Sequence, residues 1–415
     1  MATGLSQQYT AACTQFNQPV NPFIEEMLLQ LEQSEQYTTT LKLCGNNRLV
    51  AGRRVTDEDF LAISYVLRQN SFIAGLDLRF NNLTDKGAVH IANFLQEGGS
   101  LFHLNLMGND IETDGAELIA KALHRNDTLR SLRMTGNKIG NKGAMFFAAM
   151  LQINSTLEEL DLGDCDLGIQ SLIALATVLL RNKSIKSINL NRPLFYVLQE
   201  DTIIHISLML KTNNTLQELH LSKHEMTDFG LERLCEALHE NTALKYLDLS
   251  CNKISRDGVK CLAELLKTNT TLEILDLTSN RMEDEGAIHL AKTIHTYNSS
   301  LKALAVVSNN ITGQGLKVLA AAIQANTSLE YIYIWGNVLD EAACVVYVLL
   351  FMAFSNLLST GRLSNSSMDV QPYVVDGCVY LAELFHGLKK HYYWTPSYGV
   401  ADDSVCNSGL ALTNY

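Results

Sequence analysis

The chain has 415 residues, of which 47% are hydrophobic and 18% charged, and this composition excludes collagen-like, low-complexity and wholly disordered proteins. A net charge of −12 argues against a nucleic-acid binder with a broad basic surface, because neutralising phosphates requires clustered lysine and arginine. Nine scattered cysteines without a CxxC pair are typical of a reduced intracellular protein with free thiols.

The amino-terminal region is predicted to hold a disordered tail followed by a helical cap. Residues 1–20 have neither a basic start nor an apolar run, so we expect a disordered tail and no leader peptide. Asn21-Pro22 followed by apolar residues predicts a helix with proline in its first turn. A second helix is predicted from Thr56, where Asp59 gives a variant of the capping box. Residues 21–72 are therefore expected to form a cap that includes a first, degenerate repeat.

A leucine-patterned repeat organises the chain beyond this cap. Each LxxLxLxxNxL segment combines a period-two LxLx stretch, which predicts a short strand, with a helical pattern about eleven residues later. Each unit is therefore predicted to be strand, turn and helix, with the array proper at 73–354. The fourth position of the segment falls at Leu41, Leu76, Leu104, Leu132, Leu160, Ile188, Leu219, Leu247, Leu275, Leu304 and Ile332.

Small and polar residues recur at fixed places in the unit. A glycine such as Gly115 recurs where each helix starts, and we expect it to let neighbouring units approach closely. An asparagine such as Asn126 recurs just past each helix, where we expect the left-handed cap conformation. Another, such as Asn109, closes eight of the eleven predicted strands and is expected to hydrogen-bond the backbone of the bend. We interpret all of these as scaffold residues.

The repeats predict an α/β fold. Parallel strands about 4.8 Å apart on one side and wider helices on the other must curve. The sequence therefore predicts a leucine-rich repeat solenoid, a horseshoe with parallel strands on its concave face and helices on its convex face. Its helix-containing unit resembles the ribonuclease-inhibitor class of leucine-rich repeats, and this resemblance covers residues 38–339.

The middle of the array departs from the consensus in three consecutive units. The closing asparagine is replaced by Cys165, Pro193 and His224, and extra residues lie at 191–201. Proline has no backbone N–H, so it cannot repeat the bond of the other units. We predict a bulged loop, which either changes the local curvature or contacts a partner.

The carboxyl-terminal region changes composition. The apolar run 343–354 is shorter than the about 20 residues that span a membrane, so it predicts a buried helix that closes the core. We expect a linker at 355–371 and then a carboxyl-terminal tail at 372–415, for which packing on the last repeats is one alternative. Its basic aromatic cluster at 388–394 is of a kind that stacks on bases, but it holds only two lysines, so no direct nucleic-acid binding is expected.

Candidate binding residues face outward at the third, fifth and seventh positions of each segment. The central repeats form an acidic stripe with a basic neighbour, which either keeps a wide surface hydrated or docks a basic partner segment. We expect these groups to be exposed, not gathered in a desolvated cleft. The last repeats instead present aromatic groups beside Ala303 and Ala305, and such a patch indicates either a binding site or a surface covered by the chain's own segment 374–394. The predicted protein-binding residues are Arg133, Glu159, Asp161, Glu218, His220, Tyr246, Asp248, Asp276, Val307, Tyr331, Tyr333 and Trp335.

Signatures of catalysis are not found in the sequence. It contains no GxxxxGK[ST], HExxH or GxSxG motif, so we expect no enzyme, no cofactor and no metal site. A rival hypothesis is a regulator of the Ran-GTPase-activator type, whose members resemble this chain in fold and acidity. The long acidic carboxyl-terminal run of those activators is missing here.

Several segments go beyond the generic repeat consensus, at 45–60, 134–168, 189–193, 331–337 and 375–395. They resemble one vertebrate family of leucine-rich repeat proteins over nearly the whole chain. This resemblance implies a non-enzymatic protein of nucleus, nucleolus and cytoplasm, linked to stem-cell pluripotency, differentiation and ribosome biogenesis, with nucleophosmin and nucleolin as partners. We expect a monomeric protein-interaction module or adaptor without membrane contact. The alternative is a structural component of a larger assembly such as a ciliary axoneme.

Overall fold

The computed structural model describes residues 4–33, 39–46, 53–97, 99–195, 200–358 and 368–383. The chain divides into two compact units, the first ending at Leu194 and the second beginning at Phe195. This division falls inside the irregular segment 191–201. Because residues 196–199 lie outside the described residues, the predicted bulged loop stays a prediction.

The first unit alternates helices with strands that pair in parallel, each with the next in chain order. Its core is formed by the inward leucines of the strands and the apolar faces of the helices. The elements are α1 (Leu5–Gln15), α2 (Pro22–Glu32), β1 (Thr39–Lys42), α3 (Asp57–Gln69), β2 (Ile73–Asp77), α4 (Asp85–Gln96), β3 (His103–Asn105), α5 (Thr113–Leu123), β4 (Ser131–Arg133), α6 (Gly140–Leu151), β5 (Glu159–Asp161), α7 (Ile169–Leu179) and β6 (Ser187–Asn189).

The second unit repeats this alternation and ends in an antiparallel hairpin. The elements are α8 (Asp201–Thr212), β7 (Glu218–His220), α9 (Asp228–Leu238), β8 (Tyr246–Asp248), α10 (Arg256–Leu266), β9 (Ile274–Asp276), α11 (Glu283–Thr296), β10 (Ala303–Ala305), α12 (Gly313–Ala325), β11 (Tyr331–Tyr333), α13 (Glu341–Leu358), β12 (Val370–Val375) and β13 (Cys378–Glu383). All eleven predicted fourth positions lie in β1 to β11, which confirms the α/β leucine-rich repeat class.

The expectation of a disordered segment at 1–20 is wrong, because α1 lies within it. Tyr9, Ala12 and Cys13 are fully buried on one face of this helix. The backbone N–H of Asn21 donates to the Tyr9 hydroxyl at 3.3 Å, which ties α1 to the start of α2. The missed signal was the helical spacing of Leu5, Tyr9, Ala12 and Cys13.

The predicted helix starts of the cap are confirmed. The side chain of Asn21 accepts a hydrogen bond from the N–H of Phe23, and Pro22 occupies the first turn. Thr56 and Asp59 form a reciprocal capping box, in which the Thr56 N–H donates to the Asp59 carboxylate at 3.0 Å. These bonds satisfy N–H groups that a helix leaves without partners in its first turn.

The asparagines that close the strands link neighbouring repeats, as predicted for scaffold residues. The Asn109 amide donates to the carbonyls of Leu78 at 3.0 Å and Leu106 at 2.9 Å. Its Oδ1 accepts the N–H of Leu83 at 3.1 Å. Each such side chain therefore satisfies buried backbone groups of its own repeat and of the preceding one.

The asparagines that follow the helices do not adopt the predicted left-handed conformation. Asn326 has φ −76° and ψ 143°, which is extended backbone. Its amide reaches back to the carbonyl of Ile294 at 2.8 Å, while its Oδ1 accepts the N–H groups of Ser328 and Leu329 at 2.8 Å each. The side chain, and not a left-handed backbone, thus closes the helix end and binds the previous repeat.

Left-handed backbone occurs instead just after the strands, at the eighth position of the segment. This residue has φ between 51° and 75° in ten repeats, and only three of the ten are glycines. The chain bends there before the next helix, and the sequence analysis did not foresee it. The residues are Phe80, Gly108, Gly136, Asp164, Arg192, Lys223, Cys251, Ser279, Ser308 and Gly336.

The glycines at the helix starts lie at close contacts between repeats, as predicted. A Cβ atom added to Gly115 would lie 2.4 Å from Oδ1 of Asp85 and 2.9 Å from Cβ of Ala88. That same Asp85 oxygen accepts the N–H of Glu112 at 2.7 Å. A larger residue at this position would therefore separate α5 from the preceding repeat.

The last strand of the array is capped by residues that the sequence analysis assigned to a linker. Met368 forms a parallel bridge with Ile332. The Asp369 carboxylate accepts the N–H of Ile334 through Oδ1 and the N–H of Trp335 through Oδ2, both at 2.9 Å. The hairpin of β12 and β13 then packs on α13. Residues 359–367 of the predicted linker lie outside the described residues.

The apolar run 343–354 lies within the helix α13. Ala343 and Tyr347 are fully buried, but Val345 is 45% and Leu349 60% exposed, so only one face of this helix is buried as predicted. Within the residues that the structure describes, no helix has the length and apolar character needed to cross a membrane.

Candidate functional site on the strand face of the second unit

The outward side chains of β7 to β11 and of the residues just after these strands form one surface, which we call the strand face. The strands are in register, so equivalent side chains lie side by side in rows. The third-position row is Glu218, Tyr246, Ile274, Ala303 and Tyr331, and the fifth-position row is His220, Asp248, Asp276, Ala305 and Tyr333. The strand face therefore changes from charged at β7 to apolar and aromatic at β11.

His220 joins two carboxylates at the charged end. Its Nε2 lies 2.6 Å from Oε1 of Glu218, and its Nδ1 lies 3.4 Å from Oδ2 of Asp248. The imidazole also packs against Tyr246, with the ring centroids 4.9 Å apart. All four side chains are buried.

The electrostatics of this group favour a charged imidazole. Burial alone would lower the pKa of His220, but the hydrogen bonds to Asp248 and Glu218 outweigh it and raise the pKa to about 10. Burial would likewise raise the pKa of Asp248, but the bond to His220 outweighs it and lowers the pKa. At neutral pH we therefore assign His220 as an imidazolium held between the side chains of Glu218 and Asp248.

Asp276 lies next in the row and differs from these acids. Its carboxylate is 1% exposed. Burial is the main cause that raises its pKa to about 7, and the nearby charge of Asp248 adds to the effect. Asp276 is therefore a carboxylate whose ionised form is disfavoured in the isolated protein.

The fifth-position acids also hold the backbone after their strands. Oδ1 of Asp248 accepts the N–H of Ser250 at 2.9 Å, and Oδ1 of Asp276 accepts the N–H of Thr278 at 2.9 Å. Asp161 makes the same bond to Gly163 in the first unit. Part of the acidic stripe is thus structural, which the sequence analysis missed although an acid two residues before a turn is a known turn signal.

The aromatic end forms an apolar cluster. Tyr246, Ile274 and Ala303 are buried together, and Tyr331 packs against them. Tyr333 is buried in the neighbouring row, whereas Val307 and Trp335 are half-buried. The side chains of β10 and β11 lie side by side as predicted, since Ala303 pairs with Tyr331 and Ala305 with Tyr333.

The expectation that the predicted charged groups are exposed is wrong in both units, because all seven of them are buried. His220 and Asp248 are 0% exposed. Side chains on neighbouring strands are only about 4.8 Å apart, so they contact one another where the sequence analysis expected water. The pairing of His220 with two acids is the clearest example.

The remaining predicted residues lie in the first unit. Nε of Arg133 lies 3.3 Å from Oε1 of Glu159, and both side chains are buried. Asp161 pairs in register with Arg133 across β4 and β5. These three residues form a charged group of their own.

The carboxyl-terminal segment 374–394 was one predicted cover of the aromatic patch, and the structure describes only its first part, residues 374–383. Val374 is 67% exposed, and Val375 and Tyr380 are also exposed. The hairpin tip therefore does not bury these residues on the strand face. Residues 384–394 lie outside the described residues.

A family model agrees with the repeat architecture. A family model described as "Leucine Rich repeat" matches residues 69–92, 100–120, 125–148, 154–176, 212–235, 240–263, 268–291 and 297–320. Among solved structures, an internalin from Listeria monocytogenes aligns over 81% of this chain and 93% of its own, with 15% identity and a TM-score of 0.35.

Two curated relatives match almost the entire chain. Leucine-rich repeat-containing protein 34 of Homo sapiens is 56% identical over 414 residues, which are 99% of this chain and 88% of the human protein. The protein of the same name from Rattus norvegicus is 55% identical over 412 residues, which are 98% of both chains. With identity above one half along nearly its full length, this chain belongs to the leucine-rich repeat-containing protein 34 family.

Proposed function

We propose that this protein is a non-enzymatic interaction module whose strand face in the second unit binds a partner protein. The observation that carries the proposal is the side-by-side arrangement of acidic residues and aromatic residues on β7 to β11. Aromatic residues are enriched in protein interfaces and among the residues that dominate their binding energy. A wide parallel-stranded surface also suits a macromolecule better than a small ligand, which requires an enclosed pocket.

Proximity labelling in expressing cells tests this proposal. The chain would be compared with a variant in which Tyr331, Tyr333 and Trp335 are changed to serine, and with Tyr297→Ser as a control on an exposed residue after α11. We expect the triple variant to lose a set of labelled proteins that the control retains. Equal labelling by all three proteins, with the triple variant shown to be folded, would contradict the proposal.

The finer role that we propose is that of an adaptor in nucleus, nucleolus and cytoplasm that acts in pluripotency, differentiation and ribosome biogenesis, with nucleophosmin and nucleolin as partners. Its support is the resemblance of segments such as 134–168 and 375–395. A fluorescent fusion that stays in the cytoplasm of all cells, or affinity purification that recovers neither protein, would contradict this role. Retention in detergent-resistant filaments would favour the axonemal alternative.

A further inference from the structure

The carboxylate of Asp276 has one oxygen without a hydrogen-bond partner. Oδ1 accepts the Thr278 N–H at 2.9 Å, but among the residues that the structure describes none donates to Oδ2. The side chain is 1% exposed, so bulk water does not hydrate this oxygen. A buried acceptor without a donor is costly and rare in folded proteins, which makes this position a candidate for binding an external donor.

Burial and the charge of Asp248 raise the pKa of Asp276 more than the charge of His220 lowers it, so the charged neighbours compensate this acid only in part. His220 is held between Glu218 and Asp248, and its two ring nitrogens face those two acids. In register beyond Asp276 comes Ala305, which carries no charge. Within the described part of the strand face, one imidazolium therefore faces three carboxylates, and a further cation would improve the balance.

The other side of Asp276 is apolar. Ile274 and Ala303 are buried together on the adjoining row, and Tyr331 packs against them. The alanines at 303 and 305 are the smallest side chains on this face. Few side-chain atoms on β10 therefore lie between the Asp276 carboxylate on β9 and the tyrosines on β11. A partner group that reaches Asp276 would thus place its neighbouring side chain on an apolar surface.

We propose, on the basis of the function proposed above, that this face recognises a protein segment in which a lysine or arginine adjoins an apolar side chain. The cationic group donates to Oδ2 of Asp276, and the apolar group packs on Ile274, Ala303 and Tyr331. The half-buried side chain of Thr278, whose backbone N–H already bonds Oδ1 of Asp276, is the one that the segment displaces to reach the carboxylate. The basic residue of the segment then makes a charge contact away from water, and the adjoining apolar residue anchors it on the apolar surface. Contacts of these two kinds dominate binding energy at interfaces.

Protonation of Asp276 competes with the partner cation. Burial and Asp248 raise the pKa of Asp276 to about 7, so the acid is mostly neutral at pH 6 and mostly ionised at pH 8. The titratable groups that face it from the neighbouring strands are Asp248, His220 and Glu218 on one side and Tyr331 and Tyr333 on the other. Because only the ionised form pairs with a cation, affinity for such a segment rises by about tenfold from pH 6 to pH 8.

A display selection with a library of random linear peptides tests this specificity. The full-length chain, Asp276→Asn and the control Asp77→Asn serve as baits. Asp77 has the same fifth position and accepts the Arg79 N–H, but its second oxygen is already paired with the Arg79 side chain at 3.2 Å. Asparagine at 276 keeps an oxygen for the Thr278 N–H, so we expect Asp276→Asn to fold, which its unfolding curve verifies.

We expect wild type and Asp77→Asn to select peptides in which lysine or arginine adjoins an apolar residue. Asp276→Asn should lose the basic preference, and it should bind a synthetic selected peptide about 10- to 100-fold more weakly, without the rise between pH 6 and pH 8. Selected peptides without a basic preference, or with one that survives in Asp276→Asn, would overturn this inference and leave the proposed function intact. Tyr331→Ser serves as a further bait, and absence of any peptide that wild type binds but this variant does not would contradict both.

Discussion

The asparagines that close the strands carry a large share of the contact between repeats. Asn280 donates to the carbonyls of Leu249 and Leu277 at 2.9 Å each, and its Oδ1 accepts the Ile254 N–H at 3.1 Å. All of these backbone groups are buried, so removing the amide leaves them without partners. The residue therefore joins its own repeat to the preceding one.

We predict that Asn280→Ala lowers the free energy of unfolding by about 2–4 kcal/mol, because one donor group and one acceptor for buried backbone are lost. Urea unfolding measures the change. Asn93→Ala on the exposed side of α4 is the control and should change the value by less than about 0.5 kcal/mol. Equal effects of the two substitutions would show that the asparagines that close the strands do not stabilise the array.

Asp276→Asn should stabilise the protein at pH 8. The folded-state pKa is raised to about 7, so the folded state favours the protonated acid, and the stability that this contributes is lost as pH rises from about 4 through 7. The gain from asparagine is about 2–4 kcal/mol at pH 8 and near zero at pH 4.

Urea unfolding of both proteins at the two pH values measures this difference. A variant less stable than wild type at pH 8 would mean that the Asp276 carboxylate has a native partner in the free chain. The expected result would instead identify Asp276 as a buried acid that lowers the stability of the free chain.

At the scale of the elements, the packing of one helix on the next depends on its first glycine. A Cβ atom at position 115 would lie 2.4 Å from the Asp85 carboxylate, which already caps the backbone at Glu112. We predict that Gly115→Ala lowers the free energy of unfolding by about 1–3 kcal/mol, because α4 and α5 must separate. Lys121→Ala, on the exposed side of α5, is the control in the same unfolding assay. A neutral effect of Gly115→Ala would show that the interface between repeats relaxes without cost.

The hairpin is tied to the last strand through Asp369. Asparagine at this position keeps one acceptor but turns an N–H₂ group toward a backbone N–H, so one of the bonds to Ile334 and Trp335 is lost. We predict that hydrogen exchange of these two amides becomes about tenfold faster in Asp369→Asn. Asp376→Asn at the hairpin turn is the matched control. Unchanged exchange in Asp369→Asn would contradict the role of this carboxylate as the cap of β11.

The elements were largely predictable because their signals are local. A strand follows from alternating leucines within four residues, and the capping box of α3 from two side chains three residues apart. The helix α1 was missed because its apolar positions are separated by glutamines and threonines that suggest a polar tail. The conformation after the helices was predicted wrongly because Asn326 uses its side chain, a choice that depends on a carbonyl in the preceding repeat.

At the scale of the whole molecule, sequence periodicity predicted which residues share a face but not what they do there. The register that places Ala303 beside Tyr331 follows from the repeat length. Asp276 is buried, and His220 lies between two acids, because of contacts among three strands. The sequence of a single repeat does not predict such contacts. The contacts within the candidate site therefore could not be predicted from the repeats, whereas the strands and most of the helices could.

The central claim is that the strand face of the second unit contacts a partner protein. Photo-crosslinking in cells tests it most directly, with p-benzoylphenylalanine in place of Tyr331 on β11 or, for comparison, in place of the exposed Tyr297 after α11. We predict discrete protein adducts from position 331 that are absent from position 297. Adducts formed only from position 297, or the same adducts from both positions, would contradict the claim.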